Sequence, residues 1–313
     1  MDQIVANSTR NTLAEKEPSN KYTVDKYEID LDSDNDSHAT LAKEALGSKY
    51  ILDVGCGVGY IGKKVKSLQN CVVDGIELEA VAAEIAAKSY DHVYQMKLGD
   101  STDQNFCKFL KDKRRYNCIL CGDIIEHLAE PDYIISILAR KLSPDGKIIV
   151  SIPNIAHIDV IAGLLDGKFN YAARGILDST HLRFFTEKSF VEFIANINKK
   201  YDLSLSPKII KKTHVQNTNL DSSAFEKLCG DEIFVFQNIF RITSKNTPST
   251  KVRAPKNYEK ITAELASNAE LKKQIYAKEI RIRDLEKIIK DMEKSASWKI
   301  TAPLRAVNAK LKK

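Results

Sequence analysis

Long hydrophobic runs are missing from this sequence of 313 residues. No apolar stretch approaches the roughly 20 residues of a membrane-spanning helix, and residues 1–20 lack the apolar segment of a secretory signal peptide. Cysteine is scarce at six residues, and Cys118 and Cys121 form a single C-x-x-C pair without the second pair of a zinc site. These absences argue against membrane-spanning, disulfide-rich secreted and zinc-ribbon proteins. They predict a cytoplasmic protein with reduced thiols.

The net charge of +6 is concentrated in one part of the chain. Residues 251–313 hold 17 Lys and Arg against 8 Asp and Glu, whereas the first 250 residues hold 31 against 34. Nucleic-acid binding needs clustered cations that contact phosphates, so the slightly acidic first 250 residues make such a partner unexpected. The basic C-terminal part predicts an anionic surface or partner for that part alone.

Strand and helix patterns alternate between residues 37 and 245. Short apolar runs bounded by turn residues predict strands, and the amphipathic or alanine-rich stretches between them predict helices. The predicted strands are Tyr50–Val54, Cys71–Ile76, Val93–Leu98, Asn117–Cys121, Lys147–Ile152 and Ile233–Ile242. The predicted helices are Ser37–Leu46, Tyr60–Leu68, Glu79–Lys88, Asp132–Lys141 and Phe190–Ile197. This alternation predicts an α/β domain, doubly wound around a mainly parallel sheet.

Three segments interrupt or flank this alternation. Residues 1–36 form a polar lead-in, and Asp36 or Ser37 is suited to cap the first helix. Leu142–Gly146 predicts a turn before the fifth strand. More than thirty residues then separate that strand from the next helix. Connections of this length usually carry function, so residues 155–185 are predicted to form a lid.

The C-terminal part has a different pattern. Residues 246–257 are typical of a linker. In residues 258–295 a heptad places isoleucine at most a positions and Asn268 at one of them, which predicts a parallel dimeric coiled coil; a single helix packed on its own domain is the alternative. Residues 296–313 hold five basic and no acidic side chains with apolar residues at helical spacing, typical of a basic amphipathic tail or of a frayed coiled-coil end.

A glycine-rich motif stands where the first predicted strand ends and a helix begins. It reads Ile51-Leu-Asp53-Val-Gly55-Cys-Gly57-Val-Gly59. Glycines let the backbone approach a ligand closely, and a helix N-terminus attracts negative charge. Glu77 ends the second predicted strand 22 residues after Gly55, a spacing typical of an acid that binds a ribose. The combination predicts a nucleotide-like cofactor.

The G-x-G-x-G spacing with D-V-G-C-G resembles motif I of the class I S-adenosylmethionine-dependent methyltransferases, and the resemblance extends over residues 37–245. It implies a Rossmann-like, seven-stranded sheet whose last strand is antiparallel, with S-adenosylmethionine as the cofactor. A doubly wound domain that binds another nucleotide is the alternative. The cofactor-binding residues implied by the resemblance are Asp53, Gly55, Gly57, Gly59, Glu77, Asp100 and Asp123.

Two later motifs carry the candidates for chemistry, namely D-I-I-E-H at 123–127 and D-S-T-H-L-R-F-F-T at 178–186. They are similar to the E-x-x-E-H motif and later His of small-RNA 3′-end 2′-O-methyltransferases and ubiquinone-pathway O-methyltransferases, where these residues bind a divalent cation. The resemblance implies Mg²⁺ or Mn²⁺ on Asp123, Glu126, His127 and His181, with Asp123 in place of the first Glu. Alternatively, His127 or His181 acts as a metal-free base or acceptor contact. The third possibility is a structural role, in which Glu126 and His127 cap a helix and His181 is satisfied within the lid. His157, at the mouth of the predicted sheet, is the third catalytic candidate.

Two further segments give information on the identity of the methyl acceptor. Residues 27–38, together with D-S-T-H-L-R-F-F-T, resemble bacterial methyltransferases of surface-polysaccharide assembly, and S-W-K-I-T-A-P-L-R at 297–305 resembles the endings of enzymes from such systems. This implies methylation of a sugar hydroxyl in glycan biosynthesis by a homodimer joined through residues 258–295. The tail would bind a glycosyltransferase or the anionic inner face of the membrane. The alternatives are another hydroxyl, on an RNA 3′ end or a quinone precursor, and a non-catalytic coiled-coil assembly protein.

Overall fold

The computed structural model describes residues 28–215 and 230–244. The predicted linker, coiled coil and basic tail lie outside these residues, as does most of the lead-in. One compact unit comprises residues 1–99 and 108–247, and a second comprises 100–107 and 248–313. Among the described residues, the second unit contributes a turn in which the Asp100 carboxylate accepts hydrogen bonds from the N–H and hydroxyl of Thr102. None of the described helices is long and apolar enough to cross a membrane.

A seven-stranded sheet forms the centre of the larger unit, with strand order β3-β2-β1-β4-β5-β7-β6. The five strands β1 to β5 pair in parallel, and β7 runs antiparallel to both β5 and β6. This confirms the predicted doubly wound, mainly parallel sheet. The strands are β1 Tyr50–Val54, β2 Val72–Glu77, β3 His92–Gln95, β4 Tyr116–Gly122, β5 Leu142–Pro153, β6 Leu205–His214 and β7 Val235–Ser244.

The described residues also form two short 3₁₀ helices, Ile125–His127 and Gly230–Phe234, and seven α-helices: α1 Ser37–Ala45, α2 Tyr60–Leu68, α3 Ala80–Ala86, α4 Gln104–Lys111, α5 Pro131–Arg140, α6 Ile158–Leu165 and α7 Glu187–Tyr201. The Asp36 carboxylate accepts a hydrogen bond from the His38 N–H at the start of α1, as predicted. At the start of α7, Thr186 and Ser189 form a capping box, which satisfies N–H groups that have no partner within the helix.

Three elements were not predicted, namely α4, α6 and the edge strand β6. β6 follows no clean alternation because three lysines interrupt it, and charged residues are common on edge strands since they discourage pairing with another chain. The predicted turn Leu142–Gly146 is wrong as a separate element, since β5 runs through it. Its turn character survives as an irregularity, with Asp145 at φ +62° and a register shift between Tyr116 and Cys118 of β4.

The order of the strands determines where a ligand can bind. The connections leave β1 and β4 in opposite directions, and in open α/β sheets ligands bind outside the carboxyl ends of the strands at such a switch point. The glycine motif follows β1, Glu77 ends β2 and Asp123 follows β4. Because β7 is antiparallel, its amino end reaches the same edge, where Gln237 pairs with Pro153 of β5.

An ion pair between a buried carboxylate and a partly exposed guanidinium stabilises the middle of β2. Asp74 is fully buried, and its carboxylate accepts hydrogen bonds from the Arg114 guanidinium at 2.6 and 2.8 Å and from the Tyr116 hydroxyl at 2.8 Å. An ionised carboxylate in the interior is tolerated only when it is paired and hydrogen-bonded. Arg114 therefore compensates the charge of Asp74.

Replacing Arg114 with Leu should lower the free energy of unfolding by about 2 kcal/mol. This is less than the usual cost of breaking a fully buried pair, because the Arg114 side chain is 41% exposed. Urea denaturation would measure the change. Arg115→Leu is the matched control, since Arg115 is the exposed neighbour, and an equal loss in both variants would contradict the role given to the Asp74 pair.

Candidate active site

The glycine loop between β1 and α2 is fixed to β2 by backbone hydrogen bonds. The N–H groups of Gly55 and Cys56 both donate to the Ile76 carbonyl oxygen, at 2.8 and 3.0 Å. Gly55 has φ +71°, and a Cβ there would lie 2.9 Å from Cδ1 of Ile124. Only glycine combines this backbone conformation with such close packing. The loop is therefore a tight turn at the switch point of the sheet, with no side chain at Gly55.

Glu77 lies directly against this loop, as its predicted role requires. One carboxylate oxygen accepts a hydrogen bond from the Gly57 N–H at 2.8 Å, and the other accepts from the N–H groups of Leu78 and Glu79 at 2.9 Å each. The residue is buried. A carboxylate offers about four acceptor positions, so three backbone donors leave room for a further donor.

Asp53, also predicted to bind the cofactor, is only 3% exposed. Its carboxylate accepts a hydrogen bond from the Tyr90 hydroxyl at 2.6 Å. Burial raises the pKa of Asp53 to about 6; the hydrogen bond from Tyr90 opposes this rise, and the negative charge of Glu77 adds to it. The Asp53 carboxylate thus points into the protein interior. It would affect a bound ligand only by changing the position of the glycine loop.

Asp123 adopts a left-handed conformation, with φ +48°, directly after β4. The Ser151 hydroxyl donates to its Oδ1 at 2.9 Å, and the Gln237 amide donates to both carboxylate oxygens at 2.8 Å. Residues of two neighbouring strands, β5 and β7, therefore hold this side chain at the end of β4. The left-handed backbone is tolerated because these contacts fix it.

A potential metal group forms from Glu126, His127 and His181. One ligand atom from each lies within 4.8 Å of the others. Glu126 and His127 lie on the single 3₁₀ turn Ile125–His127 after β4, and His181 comes from the segment before α7. The structure thus brings together three of the four predicted ligands. Asp123 does not belong to this group, because Gln237 and Ser151 hold its carboxylate.

Glu126 has an unusual environment for a carboxylate. It is 1% exposed, and neither of its carboxylate oxygens has a hydrogen-bond partner. Burial raises the pKa of Glu126 well above its usual value, and the negative charges of Asp123 and Asp178 raise it further. Buried polar groups are nearly always paired, so an unpartnered one needs an explanation such as an ion.

Hydrogen bonds to the protein orient both imidazoles of this group. His181 Nδ1 lies 2.9 Å from the Ile176 carbonyl oxygen, which makes it the donor and leaves the Nε2 lone pair for a ligand. His127 Nδ1 lies 3.1 Å from the Thr180 hydroxyl. The two rings meet edge to face with centroids 4.7 Å apart. Metal-binding histidines are commonly oriented in this way.

Backbone contacts join the two parts of the group. The N–H groups of Leu182 and Arg183 both donate to the Glu126 carbonyl oxygen, at 2.8 and 3.1 Å. The Arg183 guanidinium in turn donates to the carbonyl oxygens of Leu182 and Ala129. Arg183 therefore stabilises this segment.

His157 occupies a different position from the other two histidines. It is fully buried and caps α6, with Nδ1 accepting from the Asp159 N–H at 3.3 Å and Nε2 lying 3.0 Å from the Val215 carbonyl oxygen. Both ring nitrogens are thus engaged by the backbone. This arrangement favours a structural role for His157 over the predicted catalytic one.

The sequence analysis missed two residues of this region, Tyr90 and Gln237. Tyr90 follows α3, in a segment with no motif of its own. Gln237 could have been found from the predicted antiparallel direction of the last strand, because this direction brings the amino end of β7 to the ligand-binding edge. For Asp100, in the smaller unit, the cofactor-binding role stays a prediction.

Comparison with known proteins finds similarity to methyltransferases. Residues 27–203 match the family described as methyltransferase domain. A ubiquinone biosynthesis O-methyltransferase of Coxiella burnetii is 28% identical over 137 residues, which cover 42% of this chain and 56% of that protein. The mitochondrial ubiquinone biosynthesis O-methyltransferase of Dictyostelium discoideum is 25% identical over 158 residues, 48% of each chain. The chain thus spans about half the length of these curated relatives.

Among solved structures, a magnesium protoporphyrin IX methyltransferase from Synechocystis with bound SAH covers 66% of this chain and 81% of its own, at 13% identity and a TM-score of 0.43. A plantazolicin methyltransferase in complex with an analogue and SAH covers 66% and 82%, at 16% identity and a TM-score of 0.45.

Because its carboxylate is buried without a partner, Glu126 destabilises the metal-free protein at a pH where it would be ionised. Its folded pKa lies above the unfolded value, so stability decreases as the pH rises from that unfolded value through the folded pKa. At about pH 8, Glu126→Gln should therefore raise the free energy of unfolding, by on the order of 1 kcal/mol. Urea denaturation without added metal would measure this. Glu84→Gln, on the exposed face of α3, should leave the free energy of unfolding unchanged, and a destabilised Glu126→Gln protein would refute the argument.

Proposed function

Because this chain belongs to the methyltransferase domain family, we propose that it transfers the methyl group of S-adenosylmethionine to a hydroxyl oxygen of an acceptor. The observation that carries the choice of a hydroxyl is the unpartnered carboxylate of Glu126 beside His127 and His181. Carboxylate and imidazole are ligands for a divalent cation. Such an ion is useful where a hydroxyl must lose its proton.

The glycine loop and Glu77 fit the cofactor. S-adenosylmethionine supplies an electrophilic methyl group on a sulfonium ion. Gly55 gives the loop a narrow backbone against which a ligand packs, and the free acceptor capacity of Glu77 suits a ribose hydroxyl. Gly59 at the N-cap gives α2 no side chain of its own to cap the helix, and a helix N-terminus attracts negative charge such as that of the cofactor carboxylate.

The donor set of the metal group favours Mn²⁺ over Mg²⁺. Without Asp123, the protein offers two imidazoles and one carboxylate, whereas Mg²⁺ prefers oxygen ligands. When bound, the ion lowers the pKa of a coordinated hydroxyl. Glu126 provides the negative charge, and His181 is held in position by the Ile176 carbonyl. The alternative is that His127, the more exposed of the two imidazoles, accepts the acceptor proton without a metal.

For the acceptor we favour a sugar hydroxyl in glycan biosynthesis, on the basis of the polysaccharide-type motifs at 178–186 and 297–305. A row of aromatic side chains runs from the metal group to the surface: Phe184 is half-buried, and Phe169 and Tyr171 are exposed. Phe184 is in edge contact with His181, and Phe169 contacts both Phe184 and Tyr171. Aromatic faces suit the apolar face of a sugar ring as well as a phenol. A phenolic hydroxyl of a quinone precursor is the second candidate, favoured by the names of the curated relatives.

The predicted C-terminal segments belong to this proposal as the means of localisation. Residues 258–295 would join two copies, and residues 296–313 would hold the enzyme near a glycosyltransferase or an anionic membrane surface. On this view the tail brings the enzyme to its acceptor and takes no part in the chemistry.

The cofactor assignment predicts that the full chain binds S-adenosylmethionine and that Glu77→Gln weakens this binding by at least about ten-fold. The substitution replaces an acceptor oxygen by an N–H₂ group that faces backbone donors, and removing a hydrogen bond to a charged group costs about 1.5–3 kcal/mol. Isothermal titration calorimetry measures it. Glu84→Gln, on the exposed face of α3, is the control, and absence of binding by the unaltered chain would refute the proposed function.

Methyl transfer should depend on the metal group. With labelled methyl donor and Mn²⁺, the chain should methylate a sugar-containing acceptor, and His181→Ala should lose both Mn²⁺ binding and at least about 100-fold of the rate. His92→Ala, on the exposed side of β3, should retain both. Methylation of only a catechol-type acceptor would favour the quinone precursor. Full activity in the presence of a chelator would favour His127 as a metal-free base.

A further inference from the structure

Tyr90 connects three elements around the glycine loop. Its ring is 6% exposed. Its hydroxyl donates to Asp53 Oδ2 at 2.6 Å and accepts from the Gly62 N–H at 2.9 Å. Asp53 belongs to β1, directly before the glycine loop, and Gly62 lies in the first turn of α2, directly after it. One hydroxyl therefore joins the two ends of the loop.

The glycines near the loop leave space for this ring. A Cβ on Gly62 would overlap the Tyr90 ring, a Cβ on Gly59 would lie 2.8 Å from it, and a Cβ on Gly75 would lie 2.9 Å from it. Gly59 and Gly62 flank the start of α2, and Gly75 is in β2. These three glycines therefore face Tyr90, and their small size serves the packing of an aromatic ring.

The hydroxyl of Tyr90 also satisfies a helix N-terminus. The first N–H groups of a helix have no partner within it, and Gly59 at the N-cap provides no side chain for this purpose. Tyr90 caps the Gly62 N–H from 28 residues away. The bond to Asp53 is charge-assisted when that carboxylate is ionised, and such bonds are about twice as strong as neutral ones.

We propose that Tyr90 is a positioning residue for the cofactor loop, which it holds in its binding conformation through the hydrogen bonds of its hydroxyl to Asp53 and Gly62. This inference rests on the proposed function, since it assigns Tyr90 to the same cofactor site. Tyr90 does not need to touch the cofactor. It acts by fixing both ends of residues 55–59, so that the loop is preorganised and little binding energy is spent on ordering it.

The test replaces Tyr90 with Phe, which retains the ring and removes the hydroxyl. Tyr116→Phe is the matched control, because Tyr116 is also buried and its hydroxyl also donates to a buried carboxylate, that of Asp74. Calorimetry with S-adenosylhomocysteine on the full chain should give an affinity about ten-fold weaker for Tyr90→Phe and unchanged for Tyr116→Phe. Both variants should be less stable than the unaltered chain, so stability alone does not separate them.

The dependence of affinity on pH distinguishes positioning from simple packing. Asp53 has a pKa of about 6, and a protonated carboxyl accepts a weaker hydrogen bond from Tyr90. The affinity of the unaltered chain should therefore have a component that falls as the pH drops through about 6, and Tyr90→Phe should lack it. The negative charge of Glu77 also acts on Asp53. Because all variants retain Glu77, its effect on the pH dependence cancels when their affinities are compared. Burial raises the pKa values of the thiols around Asp53 and keeps them protonated: Cys56, Cys118 and Cys121.

The outcomes separate this inference from the proposed function. If the unaltered chain and both variants bind equally well with the same pH dependence, the role of Tyr90 is refuted and the methyltransferase proposal stands. If the unaltered chain does not bind, both fail. Should Tyr90→Phe not fold, Asp53→Asn gives the same test, since it retains the size of the side chain and removes its charge. At about pH 8 it should bind S-adenosylhomocysteine more weakly than the unaltered chain, and its affinity should show no fall as the pH drops through about 6. Binding as tight as that of the unaltered chain, with the same pH dependence, would overturn the inference.

Discussion

The carboxylate of Glu77 connects the parts on which the site depends. It accepts three backbone N–H bonds, one of them from Gly57 across the gap between β1 and β2. A loop with left-handed glycines has many other conformations available, and its ordering costs entropy. The bonds to Glu77 and to the Ile76 carbonyl compensate that cost. The geometry of the loop thus depends on bonds to the neighbouring strand as well as on its own glycines.

Much of the architecture followed from local patterns. Strands with continuous apolar runs, such as β1 and β4, were identified because strands buried on both faces have this composition. The glycine motif and Glu77 were predicted to lie together because the carboxyl ends of parallel strands meet at one edge. The edge strand β6 was missed because its lysines hide any alternation, and α6 was missed because it lies inside a segment interpreted as an irregular lid.

The contacts made by individual side chains were harder to predict. Asp123 fits the sequence pattern of a metal ligand, yet Gln237 and Ser151 bind its carboxylate. Gln237 is 114 residues away in sequence, and no residue near Asp123 in the sequence indicates that the two side chains will be in contact. Likewise Asp53 was expected to face the cofactor, whereas Tyr90 draws it inward. Spacing within a motif predicts which strand end a residue occupies, but the direction of its side chain depends on distant partners.

The two backbone bonds from Leu182 and Arg183 to the Glu126 carbonyl have a consequence for the metal group. They hold together the two segments, far apart in the chain, that would supply the ligands: Glu126 and His127 on one side, and His181, within residues 155–185, on the other. Any opening that withdraws His181 would reduce three ligands to two. If an ion binds there, its occupancy and the position of His181 are thermodynamically linked. An ion bound by all three side chains would hold the two segments together. The rate at which an acceptor enters would then depend on the concentration of that ion.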